Sequence, residues 1–314
     1  VVLAFAGDIH YEDGLRDLLL RAPEQMLAGV REVLDRADLT VVNLESAIGT
    51  TRGRPEPKSF TFRAPPSALD ALTNSGVDVI SMANNHGMDF GAAGLEETLE
   101  AIAERAAPVI GIGADEERAF APYRATIRGQ RIAVIAATQV LDSNLITSWT
   151  ATGDRGGVAS AKRVERLLEE VQRARRDADT VVVYLHWGTE KQHCPNAAQL
   201  ALAPVLADAG ADIIVGTHAH RLQGGGYLGS AYVHYGLGNF QFRAGSPEAK
   251  DSGILELTAV GREVRTATWH PVRIGGDALP RLLRGPEAFQ AHRRWETYRE
   301  CAKLTPTPTG NENP

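Results

Sequence analysis

The chain has little cysteine: Cys194 and Cys301 are the only two among 314 residues, and they lie far apart with no paired spacing. A disulfide framework is therefore not expected. Long apolar runs are also missing, since nothing approaches the roughly 20 residues of a membrane span. No membrane partner is expected. Charge of one sign is nowhere concentrated: 33 Lys and Arg face 39 Asp and Glu, a net charge of -6, with the arginines scattered among acids. That distribution excludes a nucleic-acid surface. Nor does a signal peptide open the chain, because Val1 to Ala6 runs directly into polar chemistry at Gly7. A cytoplasmic location is expected, with an upstream anchor left open because the first residue is Val rather than Met.

What is present reads as a folded α/β protein. Apolar residues make up 43% and charged residues 23%, both close to globular averages. One domain is expected over 1–304, followed by a Pro-rich polar tail over 305–314 that is expected to be disordered. Val/Ile-rich strands are predicted at 1–6, 39–44, 77–83, 108–113, 131–137, 180–185 and 211–216. Helical periodicity fills 15–36, 94–106, 160–176 and 197–209, the last stopped by Gly210. The alternation predicts a largely parallel sheet. Beyond residue 216 the pattern changes to short hairpin-like segments, which predicts a second sheet. Residues 50–66 carry four prolines and several basic residues. They form the longest internal loop, of a kind that covers active sites.

The polar residues fall at the ends of five predicted strands, where open α/β sheets place their sites. Asp8 and His10 follow the first strand in GDIH, and Asn43 and Glu45 follow the second in NLES. ANNHGMDFG after the third gives Asn84, Asn85, His86 and Asp89. HWGTE gives His186, Trp187 and Glu190, and GTHAH gives His218 and His220. Asp-x-His and His-x-His can each present two ligands on one side of an extended segment. Imidazole with carboxylate suits Zn, Mn, Fe or Co better than Ca or Mg, and a shared carboxylate allows one ion or two. Each piece alone has a plainer reading: a turn acid, a left-handed Asn pair, a core His-Trp pair. Five such ends in a chain with nine histidines make the joint accident a poor account.

Taken together, GD-x-H, NLES, ANNH, HWG-x-E, G-x-H-x-H and LGNF resemble the motifs of the CapA/PgsA capsule-synthesis family over about residues 1–245. That family is similar to the calcineurin-like metallophosphoesterases, which implies two packed β-sheets flanked by helices, a four-layer sandwich with a metal centre. The resemblance assigns Asp8, His10 and His220 to one metal and Asn85, His186 and His218 to the other, with Glu45 bridging. It places His86 where the phosphoesterases keep a proton-donating histidine and Asn239 at the site's last loop. Three departures stand out: Glu45 replaces a bridging Asp, GTHAH replaces GHHPH, and Lys191 replaces an aromatic residue.

For function the resemblance implies peptide or poly-γ-glutamate chemistry. Its soluble relatives include enzymes that epimerise the C-terminal residue of a lasso-peptide precursor, so a peptide epimerase is the first expectation, with a peptide substrate and a leader-binding partner protein. A dinuclear phosphoesterase is the alternative, and a non-catalytic binding module the third. Epimerisation needs an acid/base group on each face of the α-carbon. His86 is the first candidate; Glu190, Asp8, His193 and Cys194 compete for the second role. Asn84, Trp187, His193 and Asn239 are expected to contact substrate.

Overall fold

The computed structural model describes residues 1–309. All seven predicted strands form, the fourth interrupted at Gly111, because each is a Val/Ile-rich run that is largely buried. The parallel ones belong to two sheets. In the first, Val2–Ile9 lies beside Leu39–Leu44, then Val79–Ser81 and Val109–Ile110, all parallel. In the second, Thr180–Trp187 lies between Ile213–His218 and Gln130–Thr138, again parallel.

The sheets pack face to face through Phe5, Val41 and Leu255 on one side and Val134, Val182 and Val215 on the other. Tyr184 donates its hydroxyl across the interface to the carbonyl of Ala6 at 2.6 Å. Helices Gly14–Arg21, Ser67–Thr73 and Gly91–Arg105 contribute to the core outside the first sheet, and Val164–Asp177 and Ala197–Ala209 to that outside the second. The result is the helix, sheet, sheet, helix sandwich that the motifs implied.

Several expectations need correction. Hairpin segments after residue 216 do not build a sheet of their own. Gly225–Leu228 and Ala231–His234 extend the second sheet, while Asp251–Val260 joins the first antiparallel to Val2–Ile9 and Glu263–Ile274 adds antiparallel to Asp251–Val260. The helix predicted over 15–36 breaks into Gly14–Arg21, two short turns and Arg31–Leu34. Pro23 supplies no N–H for the helix to continue. Helix Gly285–Ala302, which the sequence reading did not assign, docks Trp295 beside Trp269 and His234, with ring centroids 5.2 and 5.7 Å away.

The tail is held at its start, where Tyr227 and Thr305 exchange backbone hydrogen bonds and the Thr309 N–H donates to Gly229. Residues 310–314 of the expected disordered tail lie outside the described residues. Cys194 and Cys301, expected to be free, form a disulfide across 107 residues with their Cα atoms 5.6 Å apart. Folding places them together although their spacing carries no signal. Disulfides persist in oxidising compartments and are rare in the cytosol. Among the described residues no helix is long and apolar enough to cross a membrane.

Candidate metal centre

The carboxyl ends of the parallel strands in both sheets converge at one place. Gly7 makes this possible: a Cβ there would lie 1.9 Å from the Gly238 carbonyl oxygen, so only glycine lets strand Asn239–Gln241 run beside Asp8. Asp8 pairs in register with Asn43 on one side and Asn239 on the other. His186 and Thr217 are likewise paired in the second sheet.

At the centre lies Glu45, which is fully buried, and neither of its oxygens finds a hydrogen-bond partner among the described residues. Three imidazole nitrogens surround its Oε1: His186 Nε2 at 3.6 Å, and the Nε2 atoms of His86 and His220 at 3.8 Å each. Potential ligand atoms form two groups within 4.8 Å, Glu45 with His186 and His218, and Asp8 with Glu45 and His220. Glu45 belongs to both. An orphaned, shared carboxylate amid convergent imidazoles is what a cation would satisfy, and the donor set fits a divalent transition metal.

Surrounding hydrogen bonds fix these donors. Asp8 accepts from Asn43 Nδ2 at 2.8 Å and from the His218 N–H at 3.1 Å, and lies 3.4 Å from His220 Nδ1. These contacts suit a ligand better than the proton carrier that was also considered for Asp8. Asn239 accepts from His220 Nδ1 at 2.8 Å and donates to the Ala249 carbonyl, so it orients a ligand instead of meeting substrate. His218 and His220 both have positive φ, 83° and 49°, a strained backbone for non-glycine residues of the kind that collects at functional sites.

Burial, reinforced by the positive charge of His220, holds the His218 imidazole down at about 3. Burial likewise keeps His186 neutral, while it drives the Glu45 carboxyl upward. Burial also opposes protonation of His220, but Glu45 and Asp8 outweigh it and lift that imidazole to about 9. A bound cation would take over the role of that proton.

His86 stands at the edge of the cluster. Its Nδ1 meets Asp89 at 2.6 Å, which leaves Nε2 turned toward Glu45. Asn85 places its amide oxygen 2.7 Å from His186 Nε2, beside the cluster as expected.

Other expectations separate from the centre. His10 is buried but absent from both ligand groups. The strand is irregular between Asp8 and Ile9, which breaks the two-residue alternation. The His10 ring lies against Phe62 and Phe242, with Nε2 accepting from the Arg243 N–H at 3.0 Å. Glu190 is exposed in the turn after Trp187 and makes no contact with the cluster among the described residues. Asn84 is fully buried, with its amide spent on Asn43, Leu44 and the His86 N–H. Trp187 is a core residue bonded to the Tyr235 carbonyl. His193 stacks on Tyr298 and bonds the Leu222 carbonyl, while Cys194 has no free thiol to act as a base.

Sequence reasoning missed the aromatic wall of Phe62 and Phe242, since an aromatic residue in a loop carries no motif. It also left Asn43 and Asp89 without roles, although both stand inside the motifs that were read.

Residues 2–244 match the family described as bacterial capsule synthesis protein PGA_cap. The chain is 33% identical over 203 residues to the capsule biosynthesis protein CapA of Bacillus anthracis, covering 63% of this chain and 48% of that one. It is 28% identical over 260 residues to the PGA biosynthesis protein CapA of Bacillus subtilis (strain 168), covering 81% and 66%. It thus spans between about half and two thirds of these relatives' lengths. Among solved structures, a hypothetical protein from Thermus thermophilus superposes with a TM-score of 0.53 at 18% identity, over 86% of this chain and 98% of that one. That likeness concerns the fold alone.

Proposed function

This chain belongs to the bacterial capsule synthesis family PGA_cap, and from that premise we propose that it is a metal-dependent epimerase acting on a peptide or glutamyl chain. The relatives are named for capsule and PGA biosynthesis, which directs the choice toward amide-linked substrates.

The carrying observation is the position of Phe62. Its ring lies 4.2 Å from that of His86 and 5.2 Å from that of His10, beside the Glu45 cluster. The place it fills is within reach of two imidazoles, the number that inversion at a carbon requires. A divalent cation held by Glu45, Asp8, His186, His218 and His220 would polarise the carbonyl or carboxylate next to the α-carbon. Asp89 fixes Nδ1 of His86, so Nε2 is the atom that takes or returns the α-proton. His10 is the group for the opposite step once the Arg243 N–H releases its Nε2. It replaces Glu190, Asp8, His193 and Cys194, which are exposed, engaged, distant and oxidised, respectively.

The phosphoesterase alternative uses the same cluster with His86 as acid. Against it, Lys58 is committed to Asp89 and Asp142, at 2.9 and 3.4 Å, and cannot hold a phosphoryl group. The test is incubation of glutamyl oligomers and precursor peptides with metal-loaded protein in D₂O, followed by chirality and mass analysis of each residue. Inversion with a one-deuteron mass gain, lost in His86→Ala and His10→Ala, is the expected result. Phosphoester cleavage without inversion of any peptide would overturn the reading.

A further inference from the structure

Most of the cluster is closed as it stands. Asp8 and Glu45 have no exposed surface, His186 is 1% exposed and His86 is 6% exposed, with Phe62 stacked over His86. His220 keeps 19% of its side chain exposed, so it is the His86 side of the cluster that Phe62 covers, and a substrate reaches His86 from that side only if Phe62 leaves. Phe62 belongs to the loop between the paired strands Ala47–Ile48 and Arg63–Ala64, and three of that loop's attachments end on one residue, Asp89. The Glu56 N–H donates to the Asp89 carbonyl at 2.9 Å, and the Phe62 N–H donates to Oδ2 at 2.6 Å. Lys58 Nζ donates to Oδ1 at 2.9 Å.

Oδ2 is also the atom that holds His86. Lys58 is itself deeply placed, with its side chain 5% exposed, and it also donates to the Asn85 carbonyl. Asp142 and the face of Trp149, 5.0 Å from Nζ, complete its surroundings. So committed a lysine is not a substrate-binding cation. Its three polar partners lie outside the loop that carries it, so it ties that loop to the body of the protein.

We infer that Lys58 is a positioning residue which locks the 50–66 loop shut and, through Asp89, makes orientation of His86 depend on that closure. When Lys58 and the Phe62 N–H withdraw, Phe62 clears the slot and Asp89 loses two of its donors. When they return, His86 is clamped again. Loop closure and assembly of the acid/base pair are one event. The inference rests on the proposed role of His86 for its catalytic meaning, but the mechanical coupling can be measured without turnover.

The experiment is amide hydrogen exchange on the full chain, comparing wild type with Lys58→Met, Lys58→Arg and Asp142→Asn, with bound metal measured in each. Lys58→Met is expected to raise exchange roughly tenfold both in 50–66 and in the 84–90 segment bearing His86, the weight of one charge-assisted hydrogen bond. Lys58→Arg should restore most of the protection. Asp142, which is 40% exposed in its side chain, offers a milder cut that cannot unfold the core; its Asn variant should raise exchange in the same two segments by a smaller factor. Metal content should be unchanged. In any turnover assay that succeeds, kcat should fall more than KM rises. Unchanged exchange in all variants, or a rise confined to 50–66 with 84–90 unaffected, would overturn the coupling. Failure of every peptide to invert would not touch the exchange result, so the two readings fail separately.

Discussion

Replacing Glu45 by Gln separates a metal ligand from an ordinary buried acid. Both Glu45 oxygens lack hydrogen-bond partners and the residue has no exposed surface, so in metal-free protein their desolvation cost is offset only in part by the charge of His220. A buried unsatisfied polar atom costs about 1 to 3 kcal/mol, more for a charged group. Gln keeps the shape and removes the charge, so the gain in chelator is at most roughly 2 to 4 kcal/mol. For a chain of this size that is about 3 to 6 °C in melting temperature. In excess Zn²⁺ or Mn²⁺ the order should reverse, because the wild type gains stability from the bound ion and the variant does not. The assay is thermal unfolding of both proteins with chelator and with metal. If the Glu45→Gln variant is less stable in chelator and responds to metal like wild type, Glu45 is held by the protein and not by a cation, and the reasoning fails.

Cys194→Ser should cost about 2 to 5 kcal/mol in urea unfolding, the upper end being the entropic weight of a cross-link closing a loop of this length, and reductant should reproduce the loss in wild type. Asn239→Ala should weaken metal binding about 10- to 100-fold, measured by competition with a chromophoric chelator, because it frees His220 Nδ1. His234 is buried away from the metal centre, and burial together with Arg299 holds its pKa down at about 3. The folded state therefore binds fewer protons than the unfolded chain between about pH 3 and the ordinary histidine value near 6.5, so stability present above 6.5 is lost as pH falls. His234→Gln should remove about 1.4 kcal/mol per pH unit from that slope in urea titrations.

The parallel strands and their polar ends were legible because both signals are local. A Val/Ile run followed at once by Asp8, Glu45, His186 or His218 states where the strand is and what its end carries. The shared position of Glu45 came from the resemblance and reappears in the geometry of the two ligand groups. What escaped depends on contacts between distant segments. The irregularity after Asp8 turns His10 out of the cluster, and it arises from a switch of neighbouring strand, from Phe5 beside Leu255 to Asp8 beside Asn239. Phe62 reaches His86 because Asp89 and the pairing of Arg63–Ala64 with Ala47–Ile48 anchor its loop. Cys194 and Cys301 meet only because the final helix docks beside the loop after Trp187. The charge of Lys58 was visible among the basic residues of 50–66, but its two carboxylate partners, Asp89 and Asp142, were not.

The central claim is that Glu45 is shared by two groups of metal ligands. Crystals of protein purified without chelator, measured at the absorption edge of whichever metal elemental analysis detects, test it most directly. The account predicts anomalous density within about 2.0 to 2.3 Å of Glu45, with His186 and His218 or Asp8 and His220 completing the coordination. Protein free of metal, with Glu45 hydrogen-bonded to neighbouring imidazoles and activity unaffected by chelator, would contradict it.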